Sequence, residues 1–216
     1  MLPGPDYYYC CPKCSAVASR TSIASGNTFG AVYWSDAKRE APMLPDAPAL
    51  VACPSCRTYL WIALLTPVGK IDWYNAPPDN GELPAQWENA PRFRNPDAND
   101  FAEALTAGLA DTAEHERYIR VRIWWSLNDQ HRKGDRTNRG HDTSFLSNLN
   151  RLATLLDDTA NDTLLRAEIA RESGRFAQAV ELCDTLVGVN PERHLIETAA
   201  LIRARAVTKD QWVFRC

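Results

Sequence analysis

Two short cysteine turns carry the strongest chemistry in this chain: Cys11-Pro12-Lys13-Cys14 and Cys53-Pro54-Ser55-Cys56, with thirty-eight residues between them. A pair of Cys-x-x-Cys turns can set four thiolates at the corners of a tetrahedron, the arrangement of a closed structural zinc site. The spacing predicts one structural Zn²⁺ per chain, held by Cys11, Cys14, Cys53 and Cys56. A Cys-Pro-x-Cys turn also serves thiol–disulfide exchange, where one low-pKa thiolate attacks and its neighbour resolves. That chemistry calls for a single turn opening a helix after a strand. Here two copies each lead into strand-like sequence, which favours the metal. The glycine that often follows such a knuckle is replaced by Ser15 and Arg57.

Cys10 stands one residue out of knuckle spacing, and Cys10, Cys183 and Cys216 are expected as free thiols. Seven cysteines are an odd number, and Met1 to Cys11 has neither the basic nor the apolar region of a secretory signal. A disulfide framework is therefore disfavoured and a reducing cytoplasm is the expected compartment. No apolar run approaches the ~20 residues of a membrane helix. At 216 residues, with 45% hydrophobic and 24% charged residues and a net charge of -3, the chain is long enough for a buried core and has ordinary globular composition.

Other chemistry leaves little trace. Phosphate loop, nucleophile elbow, His-Glu-x-x-His helix and dinucleotide fingerprint are all missing from the sequence. His115, His131, His141 and His194 are scattered through polar contexts. Asp157-Asp158 and Asn161-Asp162 lack the glycine and terminal glutamate of a calcium loop and read as a helix end and the next helix start. An enzyme whose site is assembled from distant positions stays open as an alternative, because such sites leave no local motif.

The knuckles must be held by a β-rich first third. Stretches near Val17–Ala24 and Phe29–Trp34 flank Ser25-Gly26-Asn27-Thr28, which predicts a tight hairpin projecting between the knuckles. Pro42, Pro45 and Pro48 then impose an extended return to Cys53, and Thr58–Leu65 reads as a strand. Residues 1–74 form the expected zinc ribbon with inserted hairpin, and residues 75–99 a proline-rich acidic linker. Residues 100–216 form the expected helical domain, so the predicted class is α+β.

Helices are signalled by an Asp100-x-x-Glu103 capping box and by the stripe Phe145, Leu149, Leu152 and Leu156, behind Asp142, Thr143 or Ser144 as N-cap. Tyr118–Leu127 alternates like a strand yet lines one helix face through Ile119, Ile123 and Leu127, and its neighbours favour helix. Residues 164–173 and 176–187 read as two helices broken at Gly174, with Asn190-Pro191 closing the unit and Leu195–Val207 following. Gly174-Arg175-Phe176, then Ala179 and Pro191, resembles the turn and second helix of one tetratricopeptide repeat, spanning about residues 160–191.

The run from Ser25 to Gly30, Tyr33-Trp34-Ser35-Asp36, Ala41-Pro42-Met43-Leu44-Pro45, Ile123-Trp124-Trp125 with Asn128-Asp129 and Arg132, and Arg166-Ala167-Glu168 with Gly174-Arg175-Phe176 are together similar to an uncharacterised bacterial family. The resemblance spans most of the chain and implies an N-terminal four-cysteine ribbon followed by helices. It implies no activity.

The functional expectation is a zinc-stabilised protein-interaction or adaptor module without catalysis, with Trp34 and Asp36 or the Trp124-Trp125 region as contacts, core packing being the competing role for these tryptophans. The alternative is a nucleic-acid binder. Residues 114–141 carry seven Lys/Arg against four Asp/Glu, and Arg120 and Arg122 lie beside the two tryptophans. Against that stand a sequence pI near 5.8 and the nearby Glu114, Glu116 and Asp129, which are placed to pair with these arginines.

Overall fold

The first knuckle closes a hairpin whose N-terminal strand starts almost at the chain's beginning. In the computed structural model, which describes residues 1–74, 83–136, 143–188 and 191–216, β1 (Leu2–Cys10) pairs antiparallel with β2 (Val17–Ser25). β1 was not predicted from the sequence, and it contains Pro3, Gly4 and Pro5, residues that disfavour strands. They are tolerated because the register shifts between Pro3 and Asp6, a bulge that needs no ladder N–H from proline.

The second knuckle closes a matching pair, β5 (Leu50–Ala52) with β6 (Tyr59–Trp61). The strand expected over Thr58–Leu65 is shorter, giving way to a 3₁₀ turn at Ile62–Leu64. A further strand, β7 (Gly69–Ile71), lies on the other side of β1, so the larger sheet runs β2-β1-β7.

The inserted hairpin is present, but not at Gly26-Asn27. β2 turns back onto β1 through the knuckle, and the hairpin is made by β3 (Val32–Tyr33) and β4 (Arg39–Glu40). Its turn is closed by Trp34 N donating to Lys38 O at 2.9 Å. Gly26 serves a different need. A Cβ there would sit 2.4 Å from the Met43 carbonyl oxygen, so only glycine lets the two backbones approach.

Residues 83–96 pack into the ribbon. A short helix, α1 (Ala85–Glu88), stacks Trp87 on Tyr8 with centroids 4.8 Å apart, and Pro91–Arg94 runs extended between Ser19 of β2 and Ala52 of β5. Met1–Ala31 and Glu40–Pro96 thus form one compact unit, and Val32–Arg39 with Asp97–Cys216 the other. The strip Val32–Arg39, expected within the ribbon, belongs to the helical unit.

In that unit α2 (Ala98–Thr106) is capped by Asp97, with Asp100 as the reciprocal acid, one turn earlier than the Asp100/Glu103 box the sequence suggests. α3 (Ala113–Arg132) is a long helix through the ambiguous stretch. Its buried residues Ile119, Trp124, Asn128 and His131 follow helical spacing, which prevails over the strand-like alternation. α4 (Thr143–Ala153) buries the predicted stripe, and Phe145, Leu149, Leu152 and Leu156 pack with Trp124 and Ile169. The suggested cap Asp142 lies outside the described residues, as does Asn190.

α5 (Ala160–Glu172) and α6 (Phe176–Gly188) meet at Gly174, whose φ of +76° makes the turn. A Cβ there would also meet Gln211 Nε2 at 2.6 Å. α7 (Arg193–Val207) completes a core of Ala167, Cys183, Leu186, Leu195, Ala199 and Ile202. Phe176 is half-buried against Ala170, Ala179 and Ala206 rather than enclosed.

Candidate metal centre

Each knuckle is a tight loop between two paired strand ends. Cys11 N donates to Ala16 O and Ser15 N to Cys11 O at 2.9 and 2.8 Å; Cys53 N donates to Thr58 O and Arg57 N to Cys53 O, both at 2.9 Å. The two loops are near copies, and each needs a left-handed residue after its second cysteine. Ser15 (φ 59°) and Arg57 (φ 62°) fill those positions where glycine would be free of strain.

The loops bring Cys11, Cys14, Cys53 and Cys56 together with all four sulfurs within 4.8 Å of one another. Cys11 Sγ lies 3.7 Å from Cys56 Sγ, and Cys14 Sγ lies 3.7 Å from Cys53 Sγ. A regular tetrahedron with metal–sulfur bonds of about 2.3 Å has an edge of about 3.8 Å, so the thiols fit a single tetrahedral ion. Cys11 and Cys53 are buried in the ribbon core with Tyr9, Ala18, Val51, Leu60 and Phe93, while Cys14 is exposed.

Hydrogen bonding between Cys56 Sγ and Thr58, at 3.2 Å to Oγ1 and to the Thr58 backbone, pulls the Cys56 thiol down to about 6. Cys56 is thereby biased toward the thiolate that a metal binds. The Cys10 strand position pairs with Val17 and lies outside the cluster. All seven cysteines are free of disulfides. Burial pushes Cys183 up to about 12, which keeps that thiol protonated, while Cys216 is exposed.

The tryptophans and Asp36 proposed as contacts come together too, but inside the helical unit. Trp34, Asp36 and Trp124 are buried. The Arg132 and Arg215 guanidinium groups lie over the Trp34 ring, 5.2 and 5.4 Å from its centroid. The Asp36 carboxylate accepts from Arg132 and, at 2.8 Å, from Asn128 Nδ2, and its backbone carbonyl accepts from Trp125 Nε1 at 2.8 Å. Trp124 Nε1 donates to Glu172 Oε2 at 2.8 Å, and Asn128 Nδ2 also faces Glu172 at 3.2 Å.

Desolvation pushes the Asp36 carboxyl up, against the pull of Arg132 and Asn128. Beside this cluster Arg171 is wholly buried, clasping Glu168 at 2.8 and 2.5 Å and accepted by the Trp212 carbonyl at 3.0 Å. A buried Trp34 or Asp36 offers a partner no surface. Both hold the Val32–Arg39 strip to α3.

The basic segment is also largely engaged within its own unit. Arg117 pairs bidentately with Asp162 at 2.8 and 2.6 Å. Arg120 donates to Glu116 at 2.8 Å, and Arg122 lies over the Tyr118 and Trp125 rings, 4.8 Å from each centroid. The sequence predicts arginine–carboxylate pairing with near neighbours, as Arg120 makes with Glu116, but not the longer-range partner Asp162 of Arg117. The partners seen here stand on α3 itself and on α5. Arg171, Glu172 and Phe214 were missed altogether. The only signal for them was the close run of Glu168, Arg171 and Glu172 on a helix that buries residues on every side.

No family model matches the chain, and no curated protein or solved structure matches it. Among the described residues, no helix is long and apolar enough to cross a membrane.

Proposed function

We propose that this chain is a zinc-stabilised protein-interaction module, with one structural Zn²⁺ held by Cys11, Cys14, Cys53 and Cys56. The observation that carries the metal assignment is the set of four sulfurs within 4.8 Å, all thiols, on two left-handed knuckles. An all-cysteine set fills the tetrahedron and leaves no position for water or substrate, which favours a structural over a catalytic ion. Binding is supported by the helix pair α5–α6, whose Gly174 turn resembles a tetratricopeptide unit. The similarity of the motifs to an uncharacterised bacterial family and the expected cytoplasmic location belong to the same reading.

Of the proposed contact residues, Trp125, Arg120 and Arg122 keep partial exposure. A nucleic-acid role for the 117–139 segment is the weaker proposal, since Arg117 and Arg120 already face carboxylates.

Metal analysis of protein purified without chelator is expected to give one zinc per chain, unchanged in Cys183→Ser and lost in Cys53→Ser. Absence of zinc from the unmodified chain refutes the metal. Oligonucleotide binding that weakens by about 0.9 log unit per log unit of salt for each contacted phosphate, and disappears when Arg120 and Arg122 are both replaced by Ala, promotes the nucleic-acid reading instead.

A further inference from the structure

We propose that the outer edge of β2 takes up an extended acidic peptide of a partner protein as an added strand, lying in a cleft of the ribbon unit. The proposal rests on the interaction-module reading and names its surface. Sheet order β2-β1-β7 leaves β2 at the edge. Ser19 turns both backbone groups outward there, donating to Pro91 O at 2.9 Å and accepting from Phe93 N at 3.0 Å. This edge therefore already takes an extended segment of its own chain, parallel to it at Arg92.

Strand alternation turns the N–H and C=O groups of Thr21 and Ile23 the same way as those of Ser19. The extra residue of the bulge between Pro3 and Asp6 falls on β1, so the alternation along β2 is unbroken from Ser19 to Ile23. The internal strand makes its last backbone bond to β2 at Phe93, and its next pairing, at Arg94, is to Ala52 of β5. Among the described residues, no backbone hydrogen bond beyond the β1 ladder reaches Thr21 or Ile23.

A cleft of about 630 Å³ opens at that point, with Thr21 and Ile23 on one side, Pro45 and Pro48 on the other, and Tyr7 and Phe93 in its lining. Prolines have no N–H to offer, which leaves the facing wall poorly suited to pairing with the edge. Arg20 and Arg92 line the cleft with one carboxylate, Asp46; Arg20 donates to Pro48 O at 2.9 Å, which leaves Arg92 as the cation open to a ligand. An extended peptide alternating apolar and acidic residues matches both features. Its backbone completes the edge, one side-chain row meets Tyr7 and Phe93, and the other meets the Arg92 guanidinium, which lies on the opposite face with Ser19.

The test uses the full zinc-loaded chain and three blocked hexapeptides: alternating valine–glutamate, the same peptide N-methylated on alternate amides, and alternating valine–lysine. Saturable binding of the first, with the Thr21 and Ile23 amides shifted and their exchange slowed about tenfold, is the expected result. N-methylation should abolish binding, the lysine peptide should bind at least about tenfold more weakly, and Arg92→Glu, at an exposed position, should reverse that preference.

A zinc-loaded chain that ignores the glutamate peptide at millimolar concentration overturns strand addition alone. So does binding that N-methylation and Arg92→Glu leave unchanged, or an oligothymidylate that shifts the same amides in place of the peptide. Failure of the parent reading shows separately, as protein without zinc in the same samples.

Discussion

The two compact units both bury polar groups, and they neutralise them by opposite means. The ribbon gathers four thiols, whose balancing charge the proposed zinc would supply from solution. The helical unit gathers the carboxylates of Asp36, Glu168 and Glu172 and balances them with Arg132 and Arg171 from the same chain. Buried ions are costly unless paired and hydrogen-bonded, and here Asn128 and Trp124 supply the remaining donors. With the proposed zinc, stability of the ribbon would be conditional on an external ligand. Stability of the helical unit depends on its own residues remaining paired.

The strongest way to break this contrast is to remove the metal. Structural zinc contributes ~10–16 kcal/mol of apparent binding free energy in small zinc modules, so chelation or Cys53→Ser should unfold the ribbon. Amide protection at Ala18 and Val51 is expected to vanish while helical circular dichroism persists. Equal loss of both signals would show that the units do not differ in this way.

Next in size is Asp36→Ala, which takes the buried carboxylate from Arg132 and Asn128 and leaves Arg132 only the half-exposed Asp129, at 2.7 Å, as an anionic partner. A loss of about 3–5 kcal/mol is expected, read from the denaturant midpoint of the helical signal. Asp36→Asn, which keeps a hydrogen-bond acceptor, should cost less. A helical unit indifferent to both changes would show that the internal pairing contributes nothing.

A smaller effect sharpens the contrast through pH. The Arg151 hydrogen bond, supported by Arg120, holds Glu116 down at about 2, from the usual 4.5. A depressed carboxylate contributes stability above its unfolded pKa and loses it as pH falls through the folded value. Arg151 is half exposed, so the contribution is about 0.5–1 kcal/mol. Urea midpoints of the helical signal should therefore fall between pH 4.5 and about 2, and Glu116→Gln should remove that component.

Smallest is Arg57→Gly, at a knuckle φ of 62°. Relief of the left-handed strain should raise the ribbon's thermal midpoint, by about 0.5–1 kcal/mol of stability after the added chain entropy of glycine. A lower midpoint would mean that the Arg57 side chain matters more than its backbone.

The sequence by itself determined the features that depend on short-range spacing. Knuckle ligands three residues apart, the Phe145–Leu156 stripe and the Gly174 break are each set by neighbours along the chain, where covalent geometry fixes what can face what. It did not determine which strand β2 would join, since β1 carries two prolines and no clear alternation, and only the closed knuckle brings it alongside. Nor did it determine the role of Trp34, Asp36, Trp124 and Trp125. An exposed contact and a buried lock use the same residue types, and only the packing of α3, α5 and the Val32–Arg39 strip decides between them. The carboxylates and guanidinium groups of the lock stand between positions 36 and 172, a separation over which no local pattern survives. Their pairing is fixed by the tertiary structure, because only there are they brought out of water and forced to satisfy one another.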